Sequence, residues 1–129
     1  AQPVPGVIVY RFGSPLVFAN AEAFKKTGEA LLIQAAGEGD LPHTVVIDFE
    51  EIFYVDNTGA AVLADYFKYV QRFGVDLKLA RVHSGAHKLL KMAGVVDEIS
   101  EKRFYDTVRN AVDSATSSST YQNDQESTG

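Results

Sequence analysis

The chain has 129 residues, of which 46% are hydrophobic, and a formal net charge of -5. This length and composition predict one globular domain with a sizeable core. The negative charge argues against general nucleic-acid binding, because the long-range field repels phosphate backbones. The chain has no cysteine, which excludes disulfides and thiolate metal sites. No apolar run approaches the roughly 20 residues of a membrane-spanning helix, so we expect a soluble domain.

The first residues are predicted to form a lead-in and a hairpin. Residues 1–6 contain two prolines and are expected to be extended, and residues 7–12 are rich in the β-branched and aromatic side chains of a strand. Residues 13–15 (GSP) predict a tight turn, so residues 16–18 are expected to return as an antiparallel second strand.

A helix, a central strand and a second helix are expected next. The first helix should run from Asn20 to about Ala36. Residues 45–49 form a short β-branched run, which predicts a central strand buried on both faces. Thr58 can cap the second helix, whose apolar residues recur with helical spacing. The turn before it should present a hydroxyl and unpaired N–H groups at the surface.

The second half of the chain predicts a parallel crossover and two more helices. Polar and apolar residues alternate over most of residues 76–82, which predicts a half-buried strand that runs parallel to the central strand. Ser84 can cap a short helix that Gly94 ends, and residues 95–99 are expected to be a short strand or turn. One apolar face predicts a final helix containing Phe104, Val108, Ala111, Val112 and Ala115.

These elements predict an α/β domain over residues 7–113, with a mixed sheet of four or five strands packed by about four helices. Residues 114–129 have no aliphatic side chain larger than alanine. They cannot bury enough surface to offset their ordering entropy, so we expect a disordered polar tail.

The candidate catalytic and metal-binding pairs have simpler explanations. No nucleophile-elbow pattern surrounds Ser84 and His87, and His83 and His87 would bind zinc only if both lay in one helix. Glu50 and Glu51 are adjacent, so they point to opposite sides of an extended chain. We therefore expect neither enzymatic activity nor a metal site.

Two helix starts should open on the carboxyl edge of the parallel strands. Their free N–H groups and positive dipole ends favour a phosphate, although no GxxxxGKS phosphate loop is present. Arg81 and Lys88 should add positive charge there. The candidate anion-binding residues are Asp56, Asn57, Thr58, Gly59, Arg81, Ser84, Gly85 and Lys88.

Three segments carry a resemblance to a known family. Asp56-Asn57-Thr58-Gly59 resembles the D-[ST]-[ST]-G signature of STAS domains, the fold of bacterial anti-sigma factor antagonists. Residues 10–21 (YRFGSPLVFANA) resemble the opening of the C-terminal STAS domain in SulP-type anion permeases, which free-standing antagonists usually lack. Residues 90–97 (LKMAGVVD) are similar to the end of the family's third helix.

The resemblance implies a regulatory and interaction domain of a transporter of sulfate or related anions. Such a domain is C-terminal to the spans of a membrane protein and lies on the cytoplasmic side of the plasma membrane. Its partner would be the transmembrane part of the same transporter, and the isolated domain is expected to be a monomer. The prolines before Val7 and the absent start methionine also favour a piece of a longer chain.

The resemblance also implies a switch position and a ligand. Thr58 matches the residue that is phosphorylated in the antagonists, whereas Asn57 stands where the family has Ser or Thr. Some STAS domains bind purine nucleotides, so GTP or ATP is the implied ligand, and no cofactor is required. The alternative function is a free anti-sigma factor antagonist in a partner-switching pathway.

Overall fold

The computed structural model describes residues 4–116, in which four parallel strands form a sheet whose spatial order is the chain order. The strands are β1 (Val7–Arg11), β2 (Thr44–Asp48), β3 (Asp76–Ala80) and β4 (Phe104–Tyr105). The helices are α1 (Phe18–Gly37), α2 (Asn57–Arg72), α3 (Ser84–Met92), α4 (Val95–Ile99) and α5 (108–116), and a 3-10 turn, Glu101–Arg103, precedes β4. The predicted α/β fold class is therefore confirmed.

The two faces of the sheet are covered by different helices. Val45 and Ile47 of β2 belong to the larger apolar cluster, which includes residues of α1, α2, α3 and α4. Val46 lies between them in sequence and therefore points to the opposite face. It belongs to a smaller cluster with Ala111 and Val112 of α5. Every residue of β2 is buried, as its apolar composition predicts.

A glycine and two tyrosines determine how α1 packs on α2 and on β1. The Tyr66 hydroxyl donates to the Gly28 carbonyl at 2.9 Å, and the Tyr10 hydroxyl donates to the Phe24 carbonyl at 2.7 Å. A Cβ at Gly28 would lie 2.6 Å from the Tyr66 ring, so a larger residue would push the helices apart. Burial raises the pKa of both tyrosines, which keeps their hydroxyls protonated as donors.

The predicted antiparallel hairpin is wrong. Phe18 is already the first residue of α1, and β1 pairs in parallel with β2. Leu16 instead makes an isolated parallel bridge with Val55, in which its N–H donates to the Tyr54 carbonyl at 2.9 Å. The extended residues 16–17 therefore pair with the loop before α2, and the sheet is parallel instead of mixed.

The predicted elements near the C-terminus also need correction. Residues 95–99 form α4 instead of a strand or turn, after Gly94 ends α3 with a φ of 83° as predicted. Phe104 belongs to β4 and not to the final helix, because Ser100, with a φ of 92°, redirects the chain towards β3. Residues 114–116, which were predicted to belong to the tail, are helical and belong to α5. The rest of the predicted tail and residues 1–3 of the predicted lead-in lie outside the described residues.

Between residues 4 and 116, no helix combines the length and the apolar character that crossing a bilayer requires.

Candidate functional site

The turns into α2 and α3 meet at the carboxyl edge of the sheet. They follow β2 and β3, which are parallel neighbours and therefore end on the same edge. His83, directly before α3, contacts the carbonyl of Glu50 through Nε2 at 2.7 Å. Its ring also stacks on Phe53 with 5.2 Å between centroids. The loop into α2 and the turn into α3 thus form one continuous surface.

The start of α2 is occupied by a carboxylate of the chain itself. Asp56 is the N-cap, and its Oδ1 accepts the Gly59 N–H at 2.8 Å while Oδ2 accepts the Phe18 N–H at 3.0 Å. The hydrogen bonds from Gly59 and Phe18 hold the pKa of Asp56 below its usual range. A negative charge therefore already sits at the positive end of the helix dipole.

Thr58 is not the cap of α2, so that prediction is wrong. It is the second residue of the helix and its side chain is exposed. Asp56 takes the capping role because it has the extended backbone, with φ -103° and ψ -178°, that an N-cap needs. The Thr58 hydroxyl is consequently displayed on the surface of the first turn, where an enzyme or partner can reach it.

Gly59 is required by close packing. A Cβ at Gly59 would overlap the Leu16 carbonyl oxygen, which also accepts the Asp56 N–H at 3.2 Å. The first turn of α2 is therefore pressed against the extended segment before α1. Because the Gly59 N–H is bound by Asp56, it is not free to bind a phosphate.

The start of α3 is open by comparison. His83 is its N-cap residue and makes no side-chain hydrogen bond to the first turn, and Ser84 is the first helical residue, so the prediction that Ser84 caps α3 is wrong. Ser84, Gly85 and Lys88 are all exposed, and a Cβ at Gly85 would meet nothing within 4 Å. The first turn of α3 is thus accessible, and Lys88 is exposed one turn further along the helix.

Arg81 is bound to carboxylates instead of adding free charge at the edge. Its Nε donates to Asp48 Oδ1 at 3.1 Å and its Nη2 to Asp48 Oδ2 at 2.8 Å, and its Nη1 pairs with Glu50. Its backbone has a φ of 61°, and its N–H donates to the Tyr105 carbonyl at 3.0 Å. Arg81 therefore fixes the turn into α3 and contributes little net charge to an anion there.

Asp48 and Arg11 complete this ion cluster, which the sequence analysis missed. Asp48 is 3% exposed, and Arg11 Nε lies 3.2 Å from its Oδ2. Burial raises the pKa of Asp48, but the bonds from Arg81 and the Glu50 N–H and the charge of Arg11 outweigh it, so the pKa is lowered. The sequence signal for this cluster was an aspartate at the end of a strand that is predicted to be buried, because a buried carboxylate needs cationic or hydrogen-bonding partners.

The two histidines of the remaining candidate pairs contact other residues. His87 Nε2 lies 2.6 Å from Glu101 Oε1, and its ring meets the edge of Phe104. His83 lies before α3, so the two histidines are not on successive turns of one helix. Within the described part of the chain, no group of three or more His, Asp or Glu residues could hold a metal ion.

An open groove runs along α2 beside the α3–α4 turn. Its volume is about 480 Å³, and most of the residues that line it are alanine, glycine or valine. Asn57 lies at one end, and Lys68 and Glu98 form an ion pair across it at 3.5 Å. The groove was not predicted because it depends on α4, which was expected to be a strand or turn.

The STAS domain family model matches residues 1–111 of the chain. The chain belongs to the STAS domain family. A relative described as a probable sulfate transporter of Mycobacterium tuberculosis is 32% identical over 112 residues, covering 87% of this chain and 20% of the relative. The chain thus spans about one fifth of the length of the curated relatives it matches.

Two solved structures show the same fold. The murine solute carrier 26 family member A9 anion transporter, in its inward-facing state, has a TM-score of 0.78 and 25% identity, covering 91% of this chain and 19% of that one. The SulP transporter STAS domain of Vibrio cholerae has a TM-score of 0.72 and 20% identity, covering 91% of this chain and 86% of that one. The family model confirms the predicted family, and these structures confirm its fold.

Proposed function

We propose that the chain is the regulatory and interaction domain of a SulP-type transporter of sulfate or a related anion. It would lie on the cytoplasmic side of the plasma membrane, with the transmembrane part of the same transporter as its partner. The observation that carries this proposal is the 32% identity to a sulfate transporter over nearly the whole chain. Residues 10–21 support it, because they resemble the opening of the STAS domain in SulP-type permeases, which free-standing antagonists usually lack.

Transport assays of the complete reading frame test this proposal. We expect the intact transporter to take up labelled sulfate. Removal of residues 7–113 should change the rate of uptake or the assembly of the transporter. The isolated chain, reconstituted in vesicles, should give no flux. Sedimentation should find the isolated domain monomeric at micromolar concentration, since most of its large apolar side chains are buried in its own core or pack against it. Flux by the isolated chain would refute the proposal.

A free anti-sigma factor antagonist is the second candidate, and the exposed Thr58 hydroxyl is the observation that favours it. A phosphate there would carry about -1.5 to -2 charges at a helix N-terminus and would change the surface beside Asp56 and Asp65. In a transporter the same modification would alter docking of the domain on its partner. Incubation with an anti-sigma factor kinase distinguishes the two functions: stoichiometric phosphorylation at Thr58 would favour the antagonist.

A purine nucleotide, GTP or ATP, is the ligand that we propose for the carboxyl edge of the sheet. The open first turn of α3 supports this, because Ser84 and Gly85 are exposed there and Lys88 lies one turn further on. The start of α2 is a poorer place for phosphate, since Asp56 already occupies it. Titration with GTP and ATP should therefore move the amide resonances of residues 84–88 more than those of residues 57–59. Unchanged spectra at millimolar nucleotide would remove this site.

A further inference from the structure

Three exposed aromatic residues, Phe18, Phe53 and Tyr54, form an aromatic patch at the carboxyl edge of the sheet. Their exposed fractions are 78%, 68% and 60%. All three lie within two residues of the Leu16–Val55 bridge, which joins the segment before α1 to the loop before α2. The other large exposed hydrophobic residues in the described part of the chain lie on α1, on the loop after it and on α3: Ile33, Leu41 and Met92. Single exposed apolar residues are ordinary, whereas three aromatic residues near one bridge indicate an interaction surface.

The loop that carries Phe53 and Tyr54 is anchored to the domain. Its residues Ile52 and Val55, on either side of the aromatic pair, are 0% and 1% exposed. The Tyr54 carbonyl accepts a hydrogen bond from the segment before α1 at 2.9 Å, and the Phe53 ring stacks on His83. A partner that binds these two aromatic residues therefore meets a loop that is already ordered, which lowers the entropic cost of binding.

The aromatic pair is flanked by negative charge. Residues 48–56 contain four acidic residues and no lysine or arginine. The first two acidic residues pair with the two arginines at this edge of the sheet. Between residues 4 and 116, the other two, Glu51 and Asp56, form no ion pair. Phe53 and Tyr54 thus stand in sequence between two carboxylates that have no cationic partner in the described structure.

The charge around the patch indicates which partner it fits. The cytoplasmic leaflet of a membrane carries anionic lipids, which the carboxylates would repel. The cytoplasmic loops of membrane proteins instead carry an excess of lysine and arginine close to the membrane-spanning helices. Such a loop complements Glu51 and Asp56 in charge, and aromatic residues are enriched where proteins meet. A basic protein loop is therefore a better partner for this surface than a lipid.

We propose that the aromatic patch docks on a basic cytoplasmic loop of the membrane part of the same transporter. This inference rests on the proposed function and names the surface through which the domain contacts its partner. The aromatic side chains supply the apolar contact, and Glu51 and Asp56 pair with lysine or arginine of the loop. Because one polypeptide carries both partners, their effective concentration is on the order of millimolar, so a small patch is sufficient.

Photo-crosslinking in the intact transporter tests the docking. The photoreactive phenylalanine analogue p-benzoylphenylalanine is introduced at Phe53 or at Tyr54. Ile33 and Met92 are exposed apolar positions outside the patch and serve as matched controls. The patch positions should cross-link to a cytoplasmic loop of the membrane part at least about fivefold more than the controls. Equal yields would overturn the proposal, as would cross-links that form mainly to lipid or to another copy of the domain.

The role of the carboxylates is tested in the same assay. Glu51→Lys should lower the cross-linking yield from Tyr54 at least about threefold, because a lysine there repels a basic loop. Glu38→Lys is the control and should change the yield by less than about 1.5-fold, since Glu38 is also exposed but lies at the opposite end of α1 from the patch. An unchanged or higher yield with Glu51→Lys would refute the charge complementarity.

Uptake by the intact transporter separates this inference from the proposed function. Combined Phe53→Ala and Tyr54→Ala should reproduce at least about half of the change in uptake that removal of residues 7–113 causes, whereas Met92→Ala should not change it. Circular dichroism of the isolated domain checks that the double variant folds. If removal changes uptake and the double variant does not, the docking is refuted and the regulatory function stands. If removal has no effect although the cross-links form, the regulatory function is refuted and the docking stands.

Discussion

The two helix starts at the carboxyl edge of the sheet are built in opposite ways. The first turn of α2 is closed by the Asp56 carboxylate and by packing of Gly59 on Leu16. The turn into α3 is held by the ion pair of Arg81 with Asp48 and by the contact of His83 with the Glu50 carbonyl. Neither contact caps the first turn of α3, which stays open. The N–H groups at a helix start are thus available to a ligand only when the chain does not cap them with its own side chain.

The two helix starts should differ most in how much stability the protein loses when the glycine in the first turn is replaced by alanine. Gly59→Ala should lower the free energy of unfolding by about 3 kcal/mol, because its Cβ would overlap the Leu16 carbonyl. Gly85→Ala is the matched control and should be neutral or stabilise by up to about 1 kcal/mol. Urea unfolding followed by circular dichroism measures both, and equal effects would break the comparison.

The ion pair behind α3 should matter next most. Arg81→Met leaves the buried Asp48 with Arg11 as its main cationic partner and should lower the melting temperature by roughly 8 °C at pH 7. The pKa of Asp48 is lowered in the folded chain, so its stabilising contribution is present above its ordinary pKa and is lost as pH falls through the folded value.

The deficit of Arg81→Met should therefore be largest at neutral pH and should narrow below about pH 4. Thermal melts from pH 7 to pH 3 test this. A deficit that is independent of pH would mean that Arg81 acts through packing or its left-handed backbone instead of through Asp48.

Loss of the cap of α2 should have a smaller effect. Asp56→Ala removes the acceptor of the Gly59 and Phe18 N–H groups and should lower the melting temperature by about 4 °C. Thr58→Ala is the control and should change it by less than about 2 °C, because Thr58 is exposed and is not the cap. If Thr58→Ala lowered the melting temperature more than Asp56→Ala, Thr58 and not Asp56 would be the cap.

The smallest structural effect is expected from a charge at Thr58. Thr58→Glu should preserve the circular dichroism and melting profile of the parent, because an acidic residue is favourable in the first turn of a helix. It should nevertheless change transport by the intact protein, whereas Thr58→Ala should not. If transport by the intact protein is the same for both variants, Thr58 is not a switch.

The central part of the fold could be predicted because its local signals agree. Residues 45–49 are apolar and β-branched, and the helical spacing of Leu63, Tyr66, Phe67 and Val70 matches the buried face of α2. The hairpin failed because the signals at Gly13 and Pro15 indicate a turn but not the partner of the following strand. That partner, Val55, is distant in sequence.

The candidate site was predicted in position but not in chemistry. The order of strands and helices placed the turns of Thr58 and Ser84 at one edge of the sheet. Which side chain caps each helix depends on backbone angles, and Asp56 could not be preferred over Thr58 by residue type, since both are good caps. Arg81 looked available because its partner Asp48 lies 33 residues earlier in the chain.

The central proposal is that this STAS domain regulates an anion transporter and does not itself transport. Sulfate uptake into proteoliposomes tests it most directly, with the complete transporter, the transporter without residues 7–113, and the isolated domain assayed in parallel. We expect uptake by the complete protein, a changed rate or assembly without the domain, and no uptake by the isolated domain. Uptake by the isolated domain, or an unchanged rate and assembly after its removal, would contradict the account.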